Sequence, residues 1–348
     1  MKKIIAFFFL LLMVSAINFS SCKRYQKQDI SKTDLASYLA YADSNDVLTG
    51  GVRMIPINTP KGTFKVWTKR KGNNPEMKVL LLHGGPGASH DYFECFESYF
   101  PKEGIEYILY DQLGSFNSDN PQDTSLWRLD RFVEEVEQVR IALGLDSTNF
   151  YLLGHSWGGI LAMEYATKYQ HNLKGLIISN MVASIPEYNK YANEVLGPQM
   201  PPEVLAEVKE LEAAKDYSNP RYMELLEEHY YTQHLSRLPA EKAALMGAMH
   251  FNPDIYLYMQ GPSEFGITPE ATLYNWDRSQ DLKNITVPTL VIGAAHDTMD
   301  PEYMKWMSEQ FPDGNFLLCP NGSHMAFYDD QKVYFDGLIG FVKNTANQ

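Results

Sequence analysis

Gly154-His155-Ser156-Trp157-Gly158 has the form G-x-S-x-G. A serine hydroxyl is a weak nucleophile until a base takes its proton. Glycines two residues before and two after it suit a serine on a sharp strand-to-helix turn, where a β-carbon would strike neighbouring main chain. The helix that follows would aim free N–H groups at developing negative charge. The chemistry this suggests is acyl transfer with Ser156 as nucleophile. The base and its orienting acid should follow in the order Ser, Asp, His. Asp297 closes the apolar run PTLVIG and its extension Ala294-Ala295-His296, and His324 follows FLL in Asn321-Gly322-Ser323-His324-Met325. Asp300 is a rival acid, set past the strand end. Among the other histidines, His83 and His155 belong to backbone motifs and His296 precedes the acid. His90 and His171 fall at predicted helix ends. His229, His234 and His250 lie in a helical stretch where a solvated or core role is expected.

His83-Gly84-Gly85-Pro86-Gly87 follows the apolar run KVLLL. A Gly-rich loop there can offer a backbone N–H to a substrate oxygen, and Gly85 is the expected donor, with the N–H of Trp157 as the second. The same glycines would also suit a flexible turn or a phosphate loop. Neither G-x-x-x-x-G-K-[ST] nor G-x-G-x-x-G is present, however. No H-E-x-x-H or paired-Cys spacing occurs either, so no metal or other cofactor is expected.

Elements must hold these residues together. Val52–Ile57 and Thr63–Thr68 are strand-like around the turn Thr59-Pro60-Lys61-Gly62. Lys78–Leu82, Ile105–Tyr110, Asn149–Leu153, Leu173–Ser179, Pro288–Gly293 and Phe316–Leu318 are short apolar runs suited to buried strands. Leu129, Phe132, Val133, Val136 and Val139 follow helical spacing, and Gly158–Tyr169 and Gln331–Lys343 also read as helices. The alternation predicts an α/β fold with a mostly parallel sheet, its site at the C-terminal strand ends. Residues 181–275 are Glu-, Lys-, Tyr- and Met-rich, helical in period and punctuated by prolines. They read as a helical lid inserted between two parts of the core, 47–180 and 276–348.

The 348 residues carry 30 Lys and Arg against 43 Asp and Glu, a net charge of −13, with 45% hydrophobic residues. That excludes general disorder and disfavours nucleic-acid binding through a basic face. Three cysteines make no disulfide scaffold; Cys95 and Cys319 pair only if the fold brings them together. Lys2 and Lys3 precede an apolar run, Ile4 to Val14, too short to span a bilayer comfortably and suited to a signal peptide. Phe19-Ser20-Ser21-Cys22 resembles the bacterial lipoprotein signal, with Phe19 where Leu is commoner. The expectation is a signal peptide over 1–21, an acylated Cys22, and a polar tether over 22–46 with one short helix around Leu35–Ala42. The protein would then be anchored to a membrane in the bacterial cell envelope, facing the periplasm or on the outer membrane. An ordinary signal peptide ending near a chance cysteine is the alternative.

Together the motifs resemble the α/β-hydrolase fold and, within it, the proline iminopeptidase family (peptidase family S33, tricorn-interacting aminopeptidase branch). The residues that carry the resemblance are HGGPG at 83–87 with His90-Asp91-Tyr92, YDQLGS at 110–115, GHSWGG at 154–159, GPSEF at 261–265 and NWD at 275–277. VPTLVIGAAHD and the GSHM around His324 complete it, and the likeness covers about residues 50–343. It implies a metal-free aminopeptidase that releases one N-terminal residue, often proline, from short peptides with a free N-terminus. Ser156, His324 and Asp297 take the catalytic roles, and Glu264 matches a lid carboxylate that binds the substrate's ammonium. Without the resemblance, Glu264 would pass for a solvated loop residue.

Three departures put the ammonium site and the proline preference in question. Thr298 stands where the family often has a second Glu, Leu113 replaces the usual Arg, and Phe116 replaces a Gly. Trp157 and the lid tyrosines are candidates to line an apolar proline pocket. Two other readings remain open at this level: an esterase or amidase on small neutral substrates, and a non-catalytic peptide-binding lipoprotein.

Overall fold

A computed structural model describes residues 35–41, 44–239 and 250–348. The expected signal peptide, Cys22 and the start of the tether lie outside them. Eight strands form one sheet in the order β1-β2-β4-β3-β5-β6-β7-β8. They are β1 (Val52–Thr59), β2 (Gly62–Lys71), β3 (Lys78–Leu82), β4 (Glu106–Asp111), β5 (Phe150–His155), β6 (Gly175–Ser179), β7 (Thr289–Ala294) and β8 (Gly314–Cys319). β1 and β2 form an antiparallel hairpin and β2 runs antiparallel to β4; every later pairing is parallel.

Every residue of β4, β5, β6 and β7 is buried. Continuous apolar runs are what a sheet covered on both faces requires. One face packs against the helices Leu129–Leu143, Trp157–Tyr169 and Pro301–Gln310, through residues such as Phe132, Val136, Leu161 and Met304. The other packs against the segment 92–100 and the C-terminal helix Gln331–Ala346, through Phe93, Phe96, Phe335 and Leu338. Each fully buried side chain of this kind contributes roughly 1.5–3 kcal/mol. Cys95 and Cys319 are both free thiols, so no disulfide joins them. Among the described residues no helix is long and apolar enough to cross a membrane.

Part of the stretch read as a tether is docked on the core. The Tyr38 hydroxyl donates to the carbonyl oxygens of Ile105 at 2.7 Å and Lys71 at 3.1 Å. Gly72 passes directly beneath its ring, where a β-carbon would meet the ring at 2.7 Å. Asp46 is buried between Arg53 and Arg70.

The lid is helical, as its period predicts. The helices Ile185–Tyr191, Pro202–Ala214, Pro220–Leu226 and Pro253–Met259 each carry a proline in the first turn, where its missing N–H costs nothing. Leu196, Val208, Tyr222, Leu225, Tyr230 and Phe265 give it an apolar core of its own. Among the described residues, three seams hold the lid to the hydrolase core. At its base, Ile185 N–H donates to Trp276 O (2.9 Å) and Arg278 N–H to Ala183 O (2.8 Å). On one side, Asn252 N–H donates to the carbonyl of Gly87 (2.7 Å). On the other, His324 N–H donates to His234 O (2.9 Å) and Met325 N–H to Leu235 O (3.0 Å).

Candidate active site

Ser156 sits between β5 and the helix Trp157–Tyr169 with φ 55° and ψ −128°, a backbone conformation few non-glycine residues adopt. Holding it there costs on the order of 1–3 kcal/mol. The flanking glycines are obligatory for packing reasons. A β-carbon on Gly154 would lie 1.9 Å from the Gly158 carbonyl oxygen, and one on Gly158 would lie 2.1 Å from that of Leu82. The Gly-rich loop packs against the same turn: a β-carbon on Gly84 would come within 2.9 Å of Ser156 Cβ.

Asp297 and His324 meet past the ends of β7 and β8. His324 Nδ1 donates to Asp297 Oδ1 at 2.8 Å, and both side chains are buried. That hydrogen bond fixes the tautomer and leaves Nε2 with its lone pair. Asp297 Oδ1 also accepts from the N–H of Met299 (3.1 Å), and Oδ2 accepts from Asn180 Nδ2 (2.6 Å). Burial alone would depress the His324 pKa. The charge and hydrogen bond of Asp297, with Glu264 behind them, turn the balance and hold it above 6.5. The rate should therefore fall on acidification with a midpoint above pH 6.5, read from the pH profile of kcat/KM. A midpoint below 6.5 would mean that burial outweighs the carboxylates. The rival acid, Asp300, is spent on capping the helix Pro301–Gln310, accepting from Glu302 N–H at 2.9 Å.

The backbone N–H groups read as oxyanion donors lie in the Gly-rich loop and at the elbow, and they differ from that of Gly84. Gly84 N–H is taken by the Tyr92 hydroxyl. Neither the Gly85 nor the Trp157 backbone N–H has a hydrogen-bond partner among the described residues. Gly85 has φ 103°, and a β-carbon there would strike the N atoms of Gly87 and Ala88 at 2.8 and 2.7 Å. Gln112 locks the loop to the elbow: its Nε2 donates to His83 O (3.0 Å), and its Oε1 accepts from Trp157 Nε1 (2.8 Å). The Trp157 side chain is thus buried against Phe132 and tied to Gln112. His155 completes the frame. Its Nε2 lies 2.9 Å from the His324 carbonyl oxygen and so carries the hydrogen, while Nδ1 faces the Tyr92 hydroxyl at 3.3 Å. Burial, and then the nearby His324, push its pKa far below the usual 6.5 and keep it neutral.

Glu264 belongs to a half-buried loop in the lid, ringed by tyrosines. Its Oε1 accepts from the Tyr256 hydroxyl (2.5 Å), its carbonyl from Tyr188 (2.6 Å), and its N–H donates to the Tyr231 oxygen (3.0 Å). Desolvation raises its pKa above the usual carboxylate range, only partly offset by His324 and the Tyr256 hydrogen bond. A carboxylate held this way gains when a cation docks against it.

The departures from the family pattern have structural uses. Thr298 places its hydroxyl 3.3 Å from Asp297 Oδ1 and 3.2 Å from His324 Nδ1, so it supports the acid–base pair. Leu113 is buried in the core. Phe116 takes φ 25° and stacks on His250 at 3.4 Å. Sequence reasoning passed over Asn180, Gln112 and the carbonyl of His234. Of these, only Gln112 lay within a motif that could have drawn notice. Among the described residues no cluster of His, Cys, Asp and Glu could hold a metal ion.

This sheet order, elbow and acid–base pair define a hydrolase of the α/β type, and the profile of the alpha/beta hydrolase fold family matches residues 78–331. A protein named proline iminopeptidase from Elizabethkingia meningoseptica is 60% identical over 84% of this chain and 98% of its own. One of the same name from Flavobacterium johnsoniae is 58% identical over 85% and 99%. The crystal structure of proline iminopeptidase from Mycobacterium smegmatis superposes with a TM-score of 0.72 at 28% identity, covering 85% of this chain and 98% of that one. The chain belongs to the proline iminopeptidase family of α/β-hydrolases.

Proposed function

We propose that this chain is a serine exopeptidase that releases a single N-terminal residue, preferentially proline, from short peptides through an acyl-enzyme. The observation that carries this reading is the lid carboxylate of Glu264, held in a ring of Tyr256, Tyr188 and Tyr231 in the lid of a hydrolase whose Asp297 and His324 are paired. Relatives at about 60% identity that bear the name proline iminopeptidase support it. Ser156 attacks the carbonyl of the first residue while His324 Nε2 takes its proton. Asp297 stabilises the imidazolium, and the N–H groups of Gly85 and Trp157 receive the oxyanion. His324 then protonates the leaving amine, and water repeats the cycle on the acyl-enzyme. Glu264 holds the substrate's ammonium, which places the first residue's carbonyl, and no other, at the elbow.

Glu264→Gln should slow a prolyl arylamide by roughly 10- to 150-fold in kcat/KM, the worth of a charge-assisted hydrogen bond of about 1.5–3 kcal/mol. A neutral p-nitrophenyl ester should be nearly untouched. Equal loss on both substrates would make Glu264 a lid-packing residue. Rapid cleavage of N-acetylated arylamides by the wild type would make the chain an amidase or esterase instead.

The same reading places the protein in the cell envelope, anchored through acyl chains on Cys22. The basic pair Lys2-Lys3, the apolar run and the small residues before the cysteine support it. Stable attachment takes two hydrophobic signals, which a bacterial lipoprotein cysteine receives. Cys22→Ser should shift the protein from the membrane fraction to the soluble one, or trap the uncleaved precursor. Wild type that is already soluble after gentle lysis of native cells would overturn the anchor.

A further inference from the structure

Asp329 is a half-buried carboxylate that the catalytic cycle above does not use. It closes the short helix Ala326–Asp329, which begins two residues after His324. Its side chain reaches back to the residue before the base: Oδ1 accepts from the Ser323 N–H at 3.1 Å. Oδ2 accepts from the Arg237 N–H of the lid at 3.0 Å and from the Ser323 hydroxyl. That hydroxyl also lies 3.1 Å from the carbonyl of Leu235, which takes the N–H of Met325. One carboxylate therefore joins the main chain that carries His324 to the lid segment 234–237. The same segment leads to the Glu264 loop. The Tyr231 carbonyl accepts from the N–H groups of Leu235 and Ser236 (2.9 and 3.0 Å), and its hydroxyl from the Glu264 N–H. Desolvation lifts the Asp329 pKa above the usual carboxylate range, and its hydrogen bonds only partly offset this. Burying a carboxylate is costly, and three donors from two separate elements are what hold it.

We propose that Asp329 is a positioning residue for the base, fixing the His324 main chain against the lid so that Nε2 meets Ser156. This rests on the reading of His324 as the base. Asp297 sets the ring's tautomer through Nδ1, and Asp329 sets the backbone from which the ring projects. An amide cannot do the same work. All three partners of the carboxylate come as donors, and two are N–H groups that cannot reverse. In Asp329→Asn the amide turned one way sets its NH2 against the Ser323 N–H, and turned the other way against the Arg237 N–H. Either the His324 loop or the lid loses its hold. The charge goes as well. His324 faces the carboxylates of Asp297, Glu264 and Asp329, and the ring of His155, 4.9 Å away, is kept neutral by burial.

A neutral p-nitrophenyl ester tests this without calling on Glu264, with active sites counted by fluorophosphonate. Asp329→Asn should lower kcat per active site by about 10- to 100-fold, the scale of a misplaced catalytic group. KM should stay within about twofold, because binding is not what the carboxylate serves. The acid limb of kcat/KM should move to lower pH, since one of three charges favouring the imidazolium is gone. A lower Tm with kcat per active site and the acid limb both unchanged would make Asp329 a packing residue and overturn the proposal. So would an unchanged kcat at an unchanged Tm. If Asp329→Asn does not fold, Ser323→Ala decides. It deletes the hydroxyl shared by Asp329 and Leu235 and keeps the carboxylate, and should lower kcat by about threefold or more at constant KM. An unchanged kcat there would equally overturn the proposal. His324→Ala separates the two readings. If it abolishes ester hydrolysis and Asp329→Asn does not slow it, the base stands and only Asp329's part falls. If His324→Ala hydrolyses the ester as fast as wild type, both fall together.

Discussion

Ser156→Ala should lower kcat on a prolyl arylamide by at least about 10³-fold while Tm barely moves, because members of such a triad act as a unit. The replacement keeps a β-carbon at φ 55°, so the backbone strain is the same in both proteins. Only the oxygen is lost. What remains should be the contribution of the oxyanion donors and substrate positioning. Wild type treated with a fluorophosphonate should carry its adduct on Ser156, located by mass spectrometry of peptides. An adduct elsewhere, or residual activity within tenfold of wild type, would remove Ser156 from the nucleophile's role.

Asp297→Asn should cost about 10³- to 10⁴-fold, for a reason visible in the hydrogen bonds. Oδ1 accepts from both His324 Nδ1 and Met299 N–H, and Oδ2 accepts from Asn180 Nδ2. An amide can keep its oxygen at the first position only by turning its NH2 onto the NH2 of Asn180. Reversed, it presents NH2 to the Met299 N–H and to His324, which must then carry its hydrogen on Nε2 and cannot act as base. Asn180 cannot rotate freely to adapt, because its Oδ1 accepts from the Ser179 hydroxyl at 2.8 Å. The residual activity should also show its acid limb at lower pH, since the Asp297 charge is what lifts His324. A loss of similar size with an unmoved acid limb would mean that some other group sets the His324 pKa.

The central strands were legible because burial on both faces writes itself as an uninterrupted apolar run. KVLLL matches β3 from Lys78 to Leu82, end to end. β8 was legible only at its middle, FLL, because its first residues are exposed at the sheet's edge and carry no apolar signal. Lid prolines that read as breaks between helices turned out to start them at 186, 202, 220 and 253. Asn180 was invisible for a different reason. A lone Asn after GLIIS looks like the first residue of a loop. Its value comes from φ 53°, which points its amide at a carboxylate 117 residues away. The docking of Tyr38 and Asp46 was hidden similarly: a polar stretch betrays nothing of an acid that arginines seven and 24 residues on will cover.

The seams of the lid carry a last implication. One is made to the carbonyl of Gly87, in the Gly-rich loop beside the elbow, and another to the backbone N–H of His324 itself. A lid raised along either side therefore drags catalytic backbone with it. An open lid would then leave the nucleophile without a placed base, poorly able to act on whatever ester or amide drifts past. The same few backbone hydrogen bonds would thus tie activity to the closed lid. A variant that loosened them would be expected to become slower without becoming more promiscuous.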